Sequence, residues 1–214
     1  MSQVEDIARI VGWERSRGFT VDWQVIESDM GTVLPQDYKE LAEHFGPGGF
    51  DPFFTLLVPG VANPAVEIRR NLARWQKVDE DYRGRSKKVT PFPHFPHPGG
   101  LIPWGNSEHG EIYYWRTVGK PDEWPVLVAP AVGQDFYEYQ GGITDFLRDL
   151  FTDRLDIPFL PSLAQLSEEA ELNPDIDIDE VEEVRPEFLP YDGSWPYEGA
   201  LPVIACFESD GFGD

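Results

Sequence analysis

The succession of two hydrophobic periodicities limits the fold more than any other feature of the sequence. In the N-terminal third, apolar residues recur every three or four positions, which predicts amphipathic helices. Short runs rich in β-branched and aromatic residues follow at 112–117, 126–129 and 136–139, which predicts consecutive antiparallel strands. A last helix is predicted from Thr144. This order predicts an α+β fold, with a mainly antiparallel sheet flanked by N-terminal helices and by one helix after the strands.

Start and stop signals divide the N-terminal third into three helices. They are Ser2 with Glu5 at the start of the first helix, Gly31 at the end of the second, and Pro35 and Gly46 at the two ends of the third. The apolar run 53–58 then predicts a strand, although a run this short also fits a buried helical turn. Residues 79–100, which are rich in proline and glycine, are predicted to form an exposed loop.

The composition is that of a soluble globular protein. A chain of 214 residues with 41% hydrophobic content is long enough for one sizeable core. The N-terminal residues lack the unbroken apolar stretch of a signal peptide or a membrane span, so a cytoplasmic protein is expected. Because Cys206 is the only cysteine, neither an intramolecular disulfide nor a thiolate metal cluster is possible.

The chain is strongly acidic, with 39 acidic against 17 basic side chains and a net charge of −22. Most of the imbalance lies in residues 153–214, where Arg154 and Arg185 are the only basic residues. Such a field repels nucleic acid and anionic membranes, and it attracts a basic protein partner. Solubility alone is the alternative explanation of the charge.

The amino-acid composition of the sequence changes after residue 157, where acidic residues and prolines become frequent. We therefore predict a main domain of residues 1–157 and an acidic, proline-rich C-terminal extension of residues 158–214. The extension also contains Tyr191, Trp195, Tyr197 and the apolar run Leu201–Phe207, which are suited to docking on the main domain. The extension is thus a tail or a lid.

No motif predicts a catalytic residue, a metal site or a cofactor. His94 and His97 are three residues apart, but the surrounding prolines exclude a helix that would present both on one face. Asp175, Asp177 and Asp179 resemble the first ligands of a calcium loop, yet Glu180 stands where that loop needs glycine. Weak calcium binding by this run stays open. A hydrolase site in the loop from Pro91 to Gly110 also stays open and is the least favoured interpretation.

Three segments in order resemble the SUKH superfamily, the group built around the yeast cell-wall assembly regulator domain and widespread in bacteria as immunity proteins. The first segment has the pattern helix, G-x-x-LP-x-DY turn and helix, and it includes Trp23, Pro35, Asp37, Tyr38 and Gly46. The second is the sequence from Gly99 to Val128, with Trp104, Gly105, Gly110 and Trp115, and the third is YEYQGGITDFLRDLF. Together they cover most of residues 13–152.

The resemblance implies structural roles for these residues. Gly105 and Gly110 would supply backbone angles that other residues adopt only with strain, and Trp104 and Trp115 would be core or groove aromatics. Residues 153–214 have no counterpart in the resemblance.

The resemblance also implies a noncatalytic protein-binding domain, and specifically an immunity protein that neutralises a cognate polymorphic toxin. The net charge favours a basic, nuclease-like toxin. The candidate contact residues are Glu108, Glu111, Asp122, Glu123, Asp175, Asp177 and Asp179. The alternative is a regulatory or scaffold module that recruits other proteins without neutralising a toxin.

Overall fold

A computed structural model of the chain describes residues 2–83, 91–130, 135–172 and 184–191, and it confirms the α+β class. Its helices are α1 (Gln3–Ile10), α2 (Trp23–Met30), α3 (Gln36–Phe45), α4 (Ile68–Arg83), α5 (Ile143–Phe151) and α6 (Leu163–Glu171). Its strands are β1 (Gly48–Asp51), β2 (Phe54–Leu56), β3 (Leu101–Asn106), β4 (Ile112–Arg116), β5 (Val126–Ala129), β6 (Tyr137–Tyr139) and β7 (Glu187–Pro190). A 3₁₀ turn at Pro121–Glu123 connects β4 to β5.

The seven strands form one sheet in the order β6-β5-β4-β3-β2-β1-β7, and each neighbouring pair is antiparallel. Strands β1 to β6 lie side by side in chain order. Most neighbours are joined by short connections, whereas the connection between β2 and β3 contains α4. Strand β7 is the exception: it returns from the C-terminal extension to pair with β1.

Helices cover one face of the sheet and form the main core with it. Helix α5 packs against both α1 and α3, and the inward-facing side chains of the sheet include Trp104, Tyr113 and Trp115, which are fully buried. The opposite face carries a smaller cluster. It comprises Leu101, Ile112, Tyr114, Leu127 and Ala129, with Trp75, Phe92 and Phe136 packed over them. Both faces of the central strands are therefore buried, which explains their nearly continuous apolar sequences.

The prediction of an exposed loop over residues 79–100 was wrong for the part that belongs to α4 and only partly right for residues 91–100, which form no helix or strand and expose Pro91 and residues 96–98. Helix α4 continues to Arg83, and residues 91–100 lie against the sheet, with His94 and Gly100 buried. Phe92 contacts Phe136 edge-on at 5.5 Å, and the Arg116 guanidinium lies 4.9 Å from the Phe92 ring centroid. A Cβ atom on Gly100 would lie 2.4 Å from the Phe95 nitrogen, so only glycine allows this close return of the chain.

The C-terminal extension contributes both α6 and β7 to the structure. Phe188 of β7 is 4% exposed and lies among Trp13, Phe45 and Phe50, at ring-centroid distances of 5.5, 4.8 and 5.1 Å. A Cβ atom on Gly48 would lie 2.3 Å from the Phe188 ring, so the glycine opens the space that the ring fills. The division at residue 157 stays a prediction about folding units, but part of the extension completes the core of the sheet.

None of the described helices is both long enough and apolar enough to cross a membrane.

Candidate functional site

The antiparallel order brings three acidic segments to one end of the sheet. Asp51 is the last residue of β1, Glu108 lies in the turn between β3 and β4, and Glu187 is the first residue of β7. Adjacent antiparallel strands reverse direction, so these three positions share an end. We call this end, defined by Asp51, Glu108 and Glu187, the turn end of the sheet.

The electrostatics of Asp51 show that the three carboxylates lie close together. Asp51 is opposite Glu187 in the β1–β7 register. The pKa of Asp51 is raised, first by partial burial and then by the negative charges of Glu187 and Glu108. Repulsion between like charges raises the free energy of the ionised state, so a cation that approaches this end relieves it.

The β3–β4 turn is held together by its own polar groups. The Ser107 hydroxyl oxygen accepts hydrogen bonds from the backbone N–H groups of His109, Gly110 and Glu111 at 3.1, 3.0 and 3.1 Å. The same hydroxyl donates to the Glu111 carboxylate. Gly110 has a φ of 104°, which favours glycine, as expected from the sequence.

This arrangement separates the roles of the two glutamates predicted in the turn. Glu111 is only 8% exposed and its carboxylate accepts the Ser107 hydroxyl, so it orders the turn and offers little surface to a partner. Glu108, by contrast, is exposed at the tip of the turn.

Asp122 and Glu123 lie at the opposite end of the sheet. They follow β4, whose five residues separate them from Glu108 by roughly 16 Å of strand. The Asp122 carboxylate accepts the Gln36 backbone N–H at 2.7 Å, which satisfies a free donor at the start of α3. Glu123 accepts the Lys120 backbone N–H at 3.3 Å. The structure therefore does not bring all the described candidates together in one patch.

Asp175, Asp177 and Asp179 lie outside the described residues, but the chain on both sides of them is placed. The preceding helix is α6, and the Val184 N–H donates to the Ser167 hydroxyl oxygen of that helix at 2.9 Å. Val184 is three residues before Glu187. The acidic segment 173–183 is thus connected at its C-terminal side to the turn end.

The aromatic residues of the family-like motifs belong to the core. The Tyr38 hydroxyl donates to the Leu57 carbonyl at 2.7 Å, and its ring contacts Trp115 edge-on at 4.8 Å. Trp104 and Trp115 are fully buried. Trp23 is partly buried, and its Nε1–H donates to Glu43 at 2.6 Å. These contacts place the aromatics in packing roles.

The remaining family-motif residues, Pro35, Gly46 and Gly105, act through backbone conformation or close packing. Pro35 directly precedes α3, and Gly46 ends it with a φ of 67°. The expectation that Gly105 supplies an unusual backbone angle was wrong, because its φ is not in the left-handed region. Its Cβ would instead lie 3.0 Å from the Phe54 ring, beside the irregular pairing at Pro103–Gly105, so the lack of a side chain serves close packing.

Asp37 of the same motif caps a helix that is distant in sequence. Helix α5 begins after Gly142, which has no side chain to cap it, and the Asp37 carboxylate accepts the Thr144 N–H at 3.2 Å. A Cβ on Gly142 would lie 2.5 Å from Asp37 Oδ2. Burial raises the pKa of Asp37, and the hydrogen bonds from Thr144 and Tyr38 oppose that rise.

The two histidines of the proline-rich loop are placed differently: His94 is buried and His97 is exposed. Within residues 2–83, 91–130, 135–172 and 184–191, no group of three or more His, Cys, Asp or Glu side chains is placed to hold a metal ion.

A small cleft of about 210 Å³ is lined by Glu5, Ala8, Arg9, Glu14 and His44. It lacks a nucleophile held by a base, so its geometry suggests no reaction. Cys206 lies outside the described residues.

The comparisons with known proteins give one finding. The chain matches the family model SUKH_6, described as SMI1-KNR4 cell-wall, over residues 21–147. No curated protein and no solved structure matches it significantly. The matched region extends from the residue before the N-cap of α2 to the middle of α5 and contains the strands β1 to β6, the Asp37 cap and the buried tryptophans. The chain belongs to the SUKH superfamily, in its SMI1-KNR4 cell-wall family.

Proposed function

We propose that this protein is a noncatalytic immunity protein that neutralises a basic, nuclease-like toxin by binding it at the turn end of the sheet. The observation that carries the proposal is the convergence of Asp51, Glu108 and Glu187 at one end of the sheet, where burial and then the charges of Glu187 and Glu108 raise the pKa of Asp51. The family supports the general class, since SUKH domains often act as immunity proteins.

The charge supports both recognition and speed of binding. A net charge of −22 accelerates the encounter with a cationic protein, and the complementary fields orient the two molecules before contact. A nuclease binds the phosphate backbone with a positively charged surface. A group of carboxylates held by a rigid sheet therefore resembles the substrate of such an enzyme and competes with it.

The proposed contact residues are Asp51, Glu108 and Glu187, joined by Asp175, Asp177 and Asp179 of the connected segment. Glu111 supports this surface by ordering the turn. Asp122 and Glu123, at the opposite end, are left as residues that support the start of α3 and its preceding connection. The proposal needs no cofactor and no nucleic-acid or membrane partner, and it places the protein in the cytoplasm, where a toxin-producing cell requires protection.

The test is co-purification with the product of an adjacent toxin-like gene, together with rescue of growth when that toxin is expressed. The double variant Asp51→Asn/Glu108→Gln should weaken the complex and reduce rescue. Its control is Glu40→Gln/Glu123→Gln. Glu40 accepts the side-chain N–H of Gln36, the residue whose backbone N–H binds Asp122, so this variant removes the same charge near the opposite end and should leave complex stability and rescue nearly unchanged. An equal loss of complex formation and rescue in the two variants would show that only total charge matters, and it would contradict the assigned surface.

A stable complex with a cellular protein, without rescue from any adjacent toxin, would instead favour the regulatory or scaffold module.

A further inference from the structure

We propose that β6 is a receptor strand: an extended, basic segment of the protein partner pairs with its outer edge and adds an eighth strand to the sheet. This inference rests on the proposed function, because it gives the same partner a second contact: β6 lies at the opposite edge of the sheet from β7 and is separate from the surface at the turn end. It follows from the hydrogen-bonding register of the two edge strands, from the prolines of β7 and from the charges around β6.

The register determines which backbone groups of β6 face outward. The Arg116 N–H donates to the Pro125 carbonyl at 3.1 Å, so alternate residues of β5, beginning with Pro125, face β4. Val126 and Val128 consequently face β6 and pair with Tyr139 and Tyr137. The backbone N–H and C=O of Glu138, between the two tyrosines, point away from the sheet, where the described part of the chain supplies no partner strand.

At the opposite edge of the sheet, prolines occupy outward backbone positions on β7 and just before it. The Tyr191 N–H donates to the Pro47 carbonyl at 2.9 Å, which places Tyr191, Leu189 and Glu187 on the side that faces β1. Pro186 and Pro190 therefore occupy outward positions, where a proline removes no bond of the existing ladder. They also remove two of the donors that an added strand would need. The β7 edge is thus protected against strand addition by these prolines, whereas Glu138, at the outward position of β6, keeps its N–H donor.

The surroundings of β6 favour a basic occupant. Asp135 is exposed two residues before the strand, and burial, followed by the negative charges of Asp149 and Asp156, raises the pKa of Tyr137. Tyr137 and Tyr139 are partly exposed and offer aromatic surface of the kind enriched in protein interfaces. A second copy of the chain fits poorly, because each copy carries a net charge of −22.

The test uses the full-length protein and two nine-residue peptides, one alternating lysine with valine and one alternating glutamate with valine. In the free protein, the Glu138 amide should exchange its hydrogen quickly and the Tyr137 and Tyr139 amides slowly. The lysine peptide should protect the Glu138 amide, and the glutamate peptide should not. The variants Glu138→Pro and Glu138→Gln both remove the charge, but only the first removes the outward N–H. Glu138→Pro should bind the lysine peptide about tenfold more weakly than Glu138→Gln.

Protection at Phe188 in place of Glu138, equal affinity of the two variants, or no protection at all would overturn the inference. So would slow exchange of the Glu138 amide in the free protein, since another segment of the chain would then occupy the edge. If Glu138→Pro fails to fold, amide hydrogen exchange of the wild-type protein with each of the two peptides tests the inference by itself. Failure of the wild-type protein to rescue growth from the toxin would refute the proposed function without changing these peptide results, so the two failures are distinguishable.

Discussion

Replacement of Phe188 by alanine tests whether the C-terminal extension is part of the folded core. The ring is 4% exposed and has three aromatic neighbours at 4.8 to 5.5 Å. Truncation of a fully buried phenylalanine costs about 3 to 5 kcal/mol, the sum of lost transfer free energy and of the cavity left behind. The site is at the sheet edge, where neighbours relax more easily, so we expect the lower part of this range, about 3 kcal/mol.

The assay is equilibrium unfolding in urea, followed by tryptophan fluorescence and by circular dichroism. Trp13 lies 5.5 Å from Phe188, so its emission reports on the site. The control is Leu189→Ala on the same strand, whose side chain is only partly buried and whose loss should cost less than about 1 kcal/mol. The slopes of the transitions indicate whether both variants unfold in one step.

A destabilisation of Phe188→Ala below about 1 kcal/mol, or equal to that of Leu189→Ala, would refute the reasoning. The extension would then lie on a domain that is stable without it. A separate transition that involves only β7 would have the same meaning.

The other predictions concern single polar groups and one glycine. Asp37→Ala should destabilise the protein by about 1 to 2 kcal/mol through loss of the α5 cap. Asp37→Asn should destabilise it less, because an amide oxygen still accepts the Thr144 N–H. Thermal unfolding of the two variants measures both effects. Because burial raises the folded-state pKa of Asp37, its ionisation opposes folding, so wild type should lose stability relative to Asp37→Asn as the pH rises from about 3.8 through the folded-state pKa. Tyr139, which donates to Asp149 at 2.8 Å, has its pKa raised to about 12 by burial and by that carboxylate; absorbance titration near this pH should show one fewer group in Tyr139→Phe. Gly48→Ala should destabilise the protein severely, whereas Gly60→Ala, whose Cβ meets nothing within 4 Å, should suffer only the backbone strain of its positive φ.

Several helices could be read from the sequence because their signals are local. Ser2 and Glu5 form the predicted capping box, and Gly31 and Gly46 end α2 and α3 with positive φ angles. Strands β4 and β5 also lie where runs rich in aromatic and β-branched residues predicted them. In each case a few neighbouring residues determine the conformation.

The features that sequence reasoning missed depend on contacts between distant residues. Strand β1 lies in a Gly-rich segment with low strand propensity, and it forms because Phe188 fills the space above Gly48. Asp37 was recognised as a motif residue, but its role as the cap of α5 requires the approach of Gly142 from another part of the chain. The proximity of Asp51, Glu108 and Glu187 follows from the strand order, which no local pattern encodes.

The pairing of β1 with β7 has a consequence for synthesis of the protein. The two strands are separated by about two thirds of the length of the chain, so their contact closes a very long loop and is expected to form late in folding. While a ribosome is still producing the extension, β1 is an unpaired edge and the aromatic pocket beside Gly48 is empty. Folding chaperones that bind exposed apolar edges would therefore associate with the nascent chain until Phe188 emerges. Premature termination after α5 would yield a product prone to aggregation even though it contains the entire family-matched region.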